Sequence, residues 1–169
     1  MSRKTGASLN RGRSKQDIGT PSEFIEAAEA RFGKIELDLA ANDDNCVVAS
    51  HWGPGSKISD SLGEDWSRLE GTLWLNPPFG NIGKWAKKCA GVRDRPGWTL
   101  MLVPAAVGSN WFQEYVVPNA HVLELRDRIK FVGSNDPYPK DLILCCFVFG
   151  VIGRNSWHWN SQVRKRVEP

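Results

Sequence analysis

Four consecutive residues, Asn76-Pro77-Pro78-Phe79, carry side chains suited to one particular kind of chemistry. They follow Leu73-Trp74-Leu75, a short apolar run that reads as a buried strand. The two prolines end that strand because they lack the N–H that a ladder or an immediate helix would need. Proline also drives its predecessor into an extended conformation. Asn76 should therefore stand outward at the strand's carboxyl end, where open α/β sheets bind ligands. An amino group conjugated with an aromatic ring is a poor nucleophile, because its lone pair is delocalised into the ring. It becomes a better one when its hydrogens point at acceptors that favour a tetrahedral nitrogen, and the Asn76 side-chain oxygen and the Pro77 carbonyl are candidates for that role. Phe79 offers a face on which a base could stack. The same four residues also fit a strand that ends in a Pro-Pro turn above a core phenylalanine, and only their surroundings separate the two readings.

The elements that would position this hook are legible on both sides of it. Thr20 and Glu23 have the spacing of a capping box, Pro21 takes the first helical position, and Phe24, Ala28 and Phe32 recur at helical spacing until Gly33. Ile35-Glu36-Leu37-Asp38-Leu39 alternates as a short strand, and Ala40 to Asn45 follow as a turn. Asp38 thus lies near a strand end, and the small Ala40 and Ala41 leave room for a ligand against the backbone. Without a glycine, the loop taken by itself reads first as a solvated turn containing Asp38 and Asp43. Residues 46–71 are the least regular stretch, with a turn at Gly53-Pro54-Gly55-Ser56 and three carboxylates, Asp60, Glu64 and Asp65, just before the Leu73 strand. The cluster is compatible with acid–base or metal work, with a solvated acidic loop, or with Asp60 or Asp65 reaching the adenine of a cofactor.

Beyond the hook, Ile82, Trp85, Ala86 and Cys89 line one helical face and Lys84, Lys87 and Lys88 the other. Trp98 to Val103 reads as a buried strand closed by Pro104. Asn110 with Gln113 opens a helix that Pro118 ends, and His121 to Leu125 is a strand. Arg126, Arg128 and Lys130 alternate with Ile129 and leave a basic edge, followed by a loop from Gly133 to Pro139. Leu142 to Ile152 reads as one long strand. Alternation of strands with helices predicts an α/β domain with a mostly parallel sheet and a hairpin-like antiparallel end. The domain should occupy residues 19–153, between a flexible basic tail at 1–18 and a basic and aromatic tail at 154–169.

Composition frames this reading. A chain of 169 residues with 41% hydrophobic and 24% charged content is large enough for one well-packed domain. Its net charge of +3 does not by itself demand a nucleic-acid partner. The distribution is more telling: residues 1–16 include Arg3, Lys4, Arg11, Arg13 and Lys15 and no acidic residue. Such a segment could track phosphates or serve only as a solvated tail, and salt-dependent binding distinguishes the two. No apolar run approaches the ~18 residues of a membrane span, and the first residues lack a signal peptide's apolar core, so a cytoplasmic protein is expected. Cys46, Cys89, Cys145 and Cys146 form no CxxC pair and read as reduced and structural, with no metal site expected.

Taken together, Thr20-Pro21, Asp38-Leu39-Ala40-Ala41, Asp65-Trp66, Asn76-Pro77-Pro78-Phe79 and Arg128-Ile129-Lys130-Phe131 resemble the phage-type DNA N6-adenine methyltransferases, over residues 20 to about 150. The resemblance implies a Rossmann-like methyltransferase sheet of the seven-stranded type with helices on both faces, and S-adenosylmethionine as cofactor. It places Asp38 to Ala41 at the cofactor, Thr20 and Pro21 beside its methionine end, and Asn76 to Phe79 at the reacting amine of an adenine flipped out of double-stranded DNA. The span between the first strand and the hook is short for two full strand–helix units, so a trimmed sheet is expected. With no room for a large recognition domain, DNA contacts fall to Arg11, Arg13 and Lys15 and to Arg126, Arg128 and Lys130, and sequence reading to that basic edge, the 133–140 loop or the tail. The same hook would serve cytosine-N4 methylation, methylation of RNA or of a protein amide, or a DNA-binding protein that keeps the fold without the activity.

Overall fold

The computed structural model of the protein describes residues 18–161. Helix α1 (Ser22–Phe32) leads into β1 (Ile35–Asp38); β2 (Thr72–Leu75) runs into the hook and α2 (Ile82–Gly91); β3 (Thr99–Pro104) is followed by a π-helical turn (Phe112–Val116). Strands β4 (Ala120–Leu125), β5 (Leu142–Phe147) and β6 (Gly153–Trp157) complete the chain. They form a six-stranded sheet in the order β1-β2-β3-β5-β4-β6, in which β5 alone runs antiparallel to its neighbours. The carboxyl ends of the other five strands therefore share one edge.

Helices cover both faces, and strand pleating dictates how. Trp74, Leu100, Leu102, Leu144 and Cys146 point to the side where α1 packs through Phe24, Ile25 and Ala28. Leu73, Leu75, Met101, Val103, Ile143 and Cys145 point to the other, where α2 packs through Ile82, Ala86 and Cys89. Burial on both faces explains why β2 and β5 are apolar at nearly every position.

The sheet is trimmed where the sequence led one to expect it: among the described residues it has six strands, and residues 39–71 contribute only a single bridge, Asp38 to His51, and a 3-10 turn at Ser61–Gly63. Several local expectations change. Strand β1 stops at Asp38, one residue short of the sequence reading. The Thr20–Glu23 capping box does not form: the carbonyl of Pro21, now the N-cap, accepts from Phe24 and Ile25 N–H, while the Thr20 hydroxyl faces Asn76. The capping box at Asn110 also fails, since Gln113 Nε2 donates to the Val107 carbonyl and the segment winds as a π-helix. The run from Leu142 to Ile152 breaks at Phe147 into a turn with Gly150 at φ 76°. Arg154 to Trp157, read as the start of a tail, belong to β6, and Trp157 and Trp159 bury their rings against Phe24 at 5.7 and 5.1 Å.

At the amino edge, Arg95 was given no role by its sequence context. It is only 5% exposed, and its guanidinium donates to the carbonyls of Leu69, Gly71, Gly97 and Trp98 and to the Thr99 hydroxyl. A Cβ at Gly97 would stand 2.3 Å from the Gly71 carbonyl oxygen, so only glycine lets the two segments meet around this arginine.

Candidate active site

The hook forms as its sequence requires. β2 ends at Leu75, Asn76 to Pro78 lie in neither helix nor strand, and Phe79–Asn81 make one 3-10 turn into α2. The Pro78 carbonyl accepts from Asn81 N–H at 3.3 Å, which leaves the Pro77 carbonyl outside that turn. Asn76 is half-buried, and its Nδ2 donates to the Ile18 carbonyl at 3.3 Å and to the Thr20 hydroxyl oxygen at 3.4 Å. A carbonyl can only accept, so the amide nitrogen must face Ile18 and the Oδ1 must face away. Among the described residues nothing donates to that Oδ1. The arrangement therefore presents a fixed acceptor, beside a proline carbonyl, at the carboxyl edge of the sheet.

Phe79 sits where the two halves of the core meet, packed against both. Its ring meets that of Tyr138 at 5.8 Å and 68°, and Tyr138 meets Phe131 at 5.7 Å and 83°. Tyr138 lies in the Pro-Tyr-Pro stretch between β4 and β5, and the sequence marked that stretch as a loop without singling out its ring. An aromatic between two prolines in an otherwise polar loop was the signal available. Val132 N–H in the same connection donates to the Gly19 carbonyl at 2.9 Å. The segment before α1, the hook and the β4–β5 connection thus converge on one place.

β1 lies beside β2 with Asp38 opposite Trp74, so the loop after Asp38 borders the hook. Asp38 is 3% exposed; its Oδ1 accepts from Ala40 N–H at 3.2 Å and its Oδ2 from Val47 N–H at 3.1 Å. Burial pushes this carboxyl up to about 6, against the opposing pull of those two donors and of nearby His51. What its carboxylate does in the fold is close the 40–47 loop on itself. Ala41 is buried and Ala40 half-buried, and a Cβ at Gly53 would stand 2.1 Å from the Ala41 carbonyl oxygen, which fixes the loop's other wall. His51 Nε2 is 3.2 Å from Asp43 Oδ1, out of line for a hydrogen bond.

Asp60 and Asp65 are exposed on the turn packed beside α2. Asp65 accepts from Ser67 N–H at 2.9 Å, and its contacts with Ser67 hold its carboxyl below the usual carboxylate range. Trp66, directly after Asp65, is fully buried and donates to the Ser61 carbonyl, so in this motif the tryptophan is the anchor and the carboxylates before it stay at the surface. Arg126, Arg128 and Lys130 are exposed, whereas Ile129 and Phe131 are buried, which leaves the basic edge facing outward. Arg11, Arg13 and Lys15 lie outside the described residues.

A sequence model of the family described as "DNA N-6-adenine-methyltransferase (Dam)" matches residues 9–144, a span that contains the hook, the Asp38 loop and the β4–β5 connection. The chain belongs to the Dam family. Among curated relatives, the DNA N-6-adenine-methyltransferase of Escherichia phage T1 is 33% identical to this chain over 95 residues. That stretch is 56% of the chain and 38% of the phage protein, so the chain spans well under half of that relative's length. The Dam match ends inside β5 and leaves β6 beyond it. The mixed α/β sheet with helices on both faces agrees with the methyltransferase-like fold expected of a Dam protein. Among the described residues no helix is long and apolar enough to cross a membrane.

Proposed function

We propose that this protein transfers a methyl group from S-adenosylmethionine to the N6 amino group of an adenine flipped out of duplex DNA. The observation that carries the reading is the orientation of Asn76: with its nitrogen committed to Ile18 and Thr20, its oxygen is left as an acceptor beside the Pro77 carbonyl and the Phe79 ring. Membership of the Dam family and the name of the phage relative support adenine N6 as the target.

Asn76 Oδ1 and the Pro77 carbonyl accept the two hydrogens of the amino group. That favours a pyramidal nitrogen whose lone pair has left conjugation with the ring. Phe79 holds the plane of the base by stacking. S-adenosylmethionine, when bound, would supply an electrophilic methyl group on a sulfonium, and the lone pair freed by Asn76 and Pro77 would be the nucleophile it needs. The residues at the carboxyl edge fit such a cofactor. Thr20 and Pro21 stand at the N-terminus of an eleven-residue helix, where free N–H groups and the helix dipole favour a carboxylate such as that of a methionine moiety. Ala40 and Ala41, in a loop that Asp38 shapes, offer little steric bulk along its flank. One of Asp60 and Asp65 reaches the cofactor's adenine. Arg126, Arg128 and Lys130, with Arg11, Arg13 and Lys15, hold the phosphates of double-stranded DNA.

The test is incubation of the protein with duplex DNA and methyl-labelled S-adenosylmethionine, followed by digestion to nucleosides. Label in N6-methyldeoxyadenosine is the expected result. Label in N4-methyldeoxycytidine would move the reading to cytosine, and DNA binding with no label would leave a non-catalytic DNA-binding protein.

A further inference from the structure

β4 and β5 are antiparallel neighbours, paired to Glu124 and Ile143, and such strands need only a tight turn to join them. Residues 126–141 intervene instead, far beyond an ordinary hairpin of ~2–5 residues, and connections of this length without secondary structure usually serve a function. This connection is also held rigidly. Arg126 N–H donates to the Trp157 carbonyl at 3.1 Å, Trp159 Nε1 to the Asp127 carbonyl at 2.8 Å, and Ala105 N–H to the Asp141 carbonyl at 2.9 Å. Tyr138 N–H donates to the Ile129 carbonyl at 2.8 Å, which closes the neck of the loop. Beyond that neck Val132 is tied by its N–H to the Gly19 carbonyl, and residues 133–137 project: Gly133 turns the chain at φ 77°, and Asn135 and Asp136 are exposed.

We propose that this projecting tip, Asn135 and Asp136 above all, reads base edges of duplex DNA beside the adenine held at the hook. The inference rests on the methyltransferase reading of the same site and adds to it the element that chooses sequence. Charge selects DNA as the occupant, since Arg128 and Lys130 lie exposed on the stem, where they can hold phosphates while the tip enters a groove. The tip carries the two side-chain types that read the major groove by hydrogen bonds: an amide pairs with adenine N6 and N7, and a carboxylate accepts from cytosine N4. Reach limits which bases are read. Asn135 is three residues from Tyr138, whose ring lies against Phe79, so the chain spans at most about 11 Å between them. With a rise of ~3.4 Å per base step, the positions read fall within about three or four of the methylated adenine.

The experiment uses the full chain and a randomised duplex library, scored by affinity selection and, separately, by sequencing of methylated sites. The wild-type protein should enrich particular bases within four positions of the target. Asn135→Ala should lose a preference for adenine and Asp136→Ala a preference for cytosine, each by about five- to a hundredfold at one position, with thermal unfolding unchanged. Arg128→Ala should weaken binding to all sequences alike. Selection of no sequence by the wild-type protein would overturn the inference, and so would unaltered preferences in both tip variants. Failure of the methylation reading is distinguishable: the wild-type protein would then methylate nothing, and affinity selection would judge the tip by itself.

Discussion

The side-chain amide of Asn76 donates to the hydroxyl oxygen of Thr20, 3.4 Å away across the gap between β2 and the start of α1. With the second bond to the Ile18 carbonyl, this contact decides which end of the amide faces the site. Asn76→Ala should lower the methylation rate constant by roughly 10²–10³-fold while changing S-adenosylmethionine affinity little, because the lost acceptor matters most as the amine becomes tetrahedral. Thr20→Val keeps the shape and removes one acceptor, and it should cost only about tenfold. Single-turnover rates beside calorimetric cofactor binding would check both, and wild-type rates in Asn76→Ala would reduce the hook to the end of a strand.

Phe79→Ala should weaken capture of the flipped base by roughly 1–3 kcal/mol and slow transfer as well. It should also lower the unfolding midpoint, since the ring packs against both halves of the core and against Tyr138. Phe79→Tyr and Phe79→Trp keep a stacking face and should retain much of the activity. Fluorescence of 2-aminopurine at the target position reports flipping in each variant.

Burial of Asp38 makes a testable pH dependence. Because its carboxyl is raised to about 6, the native protein keeps this proton after the unfolded chain has released its own near the ordinary value of 3.8. Stability from this group is therefore greatest below about pH 4, declines as pH rises towards 6, and is level above that, with a total change on the order of 2–3 kcal/mol. Asp38→Asn should remove that slope. It should also lower overall stability, because one of the Ala40 and Val47 N–H groups would lose its acceptor. Urea unfolding at pH 4, 5, 6 and 7 measures both effects, and identical slopes in the two proteins would refute the assignment.

DNA affinity should fall steeply with salt. Arg128→Ala and Lys130→Ala should each lower the slope of log affinity against log salt by about 0.9, and deletion of residues 1–16 should lower it further. Deletion with affinity and slope intact would make the basic N-terminus a passive tail.

Arg95→Ala should destabilise the fold by at least about 3 kcal/mol, since it strips one donor set from four backbone carbonyls and a hydroxyl at the amino edge of the sheet. Equilibrium denaturation measures the loss directly. Methylation by the protein that remains folded should be preserved, because this clamp lies at the edge opposite Asn76.

The sequence by itself determined the hook, its place after a buried strand, the helix at Ile82, and the α/β class, because these follow from local rules: proline geometry, apolar runs and the 3.6-residue period. The resemblance to the phage-type adenine methyltransferases likewise rests on short contiguous motifs. Tertiary structure decided what local rules do not reach. Thr20 reads as a helix cap from its neighbours, yet its hydroxyl meets Asn76, fifty-six residues away in the chain. Asp38 reads along the chain as a solvated turn residue or a ligand contact, and only the fold buries it and sets its oxygens against the Ala40 and Val47 N–H groups. Trp157 and Trp159 read as a tail, yet their indole rings fill the face of the sheet beside Phe24 and so recruit a sixth strand. Tyr138 reaches Phe79 only because the long β4–β5 connection folds back over the hook. Each of these outcomes depends on a partner far away in sequence, and a pattern read along the chain contains no term for it.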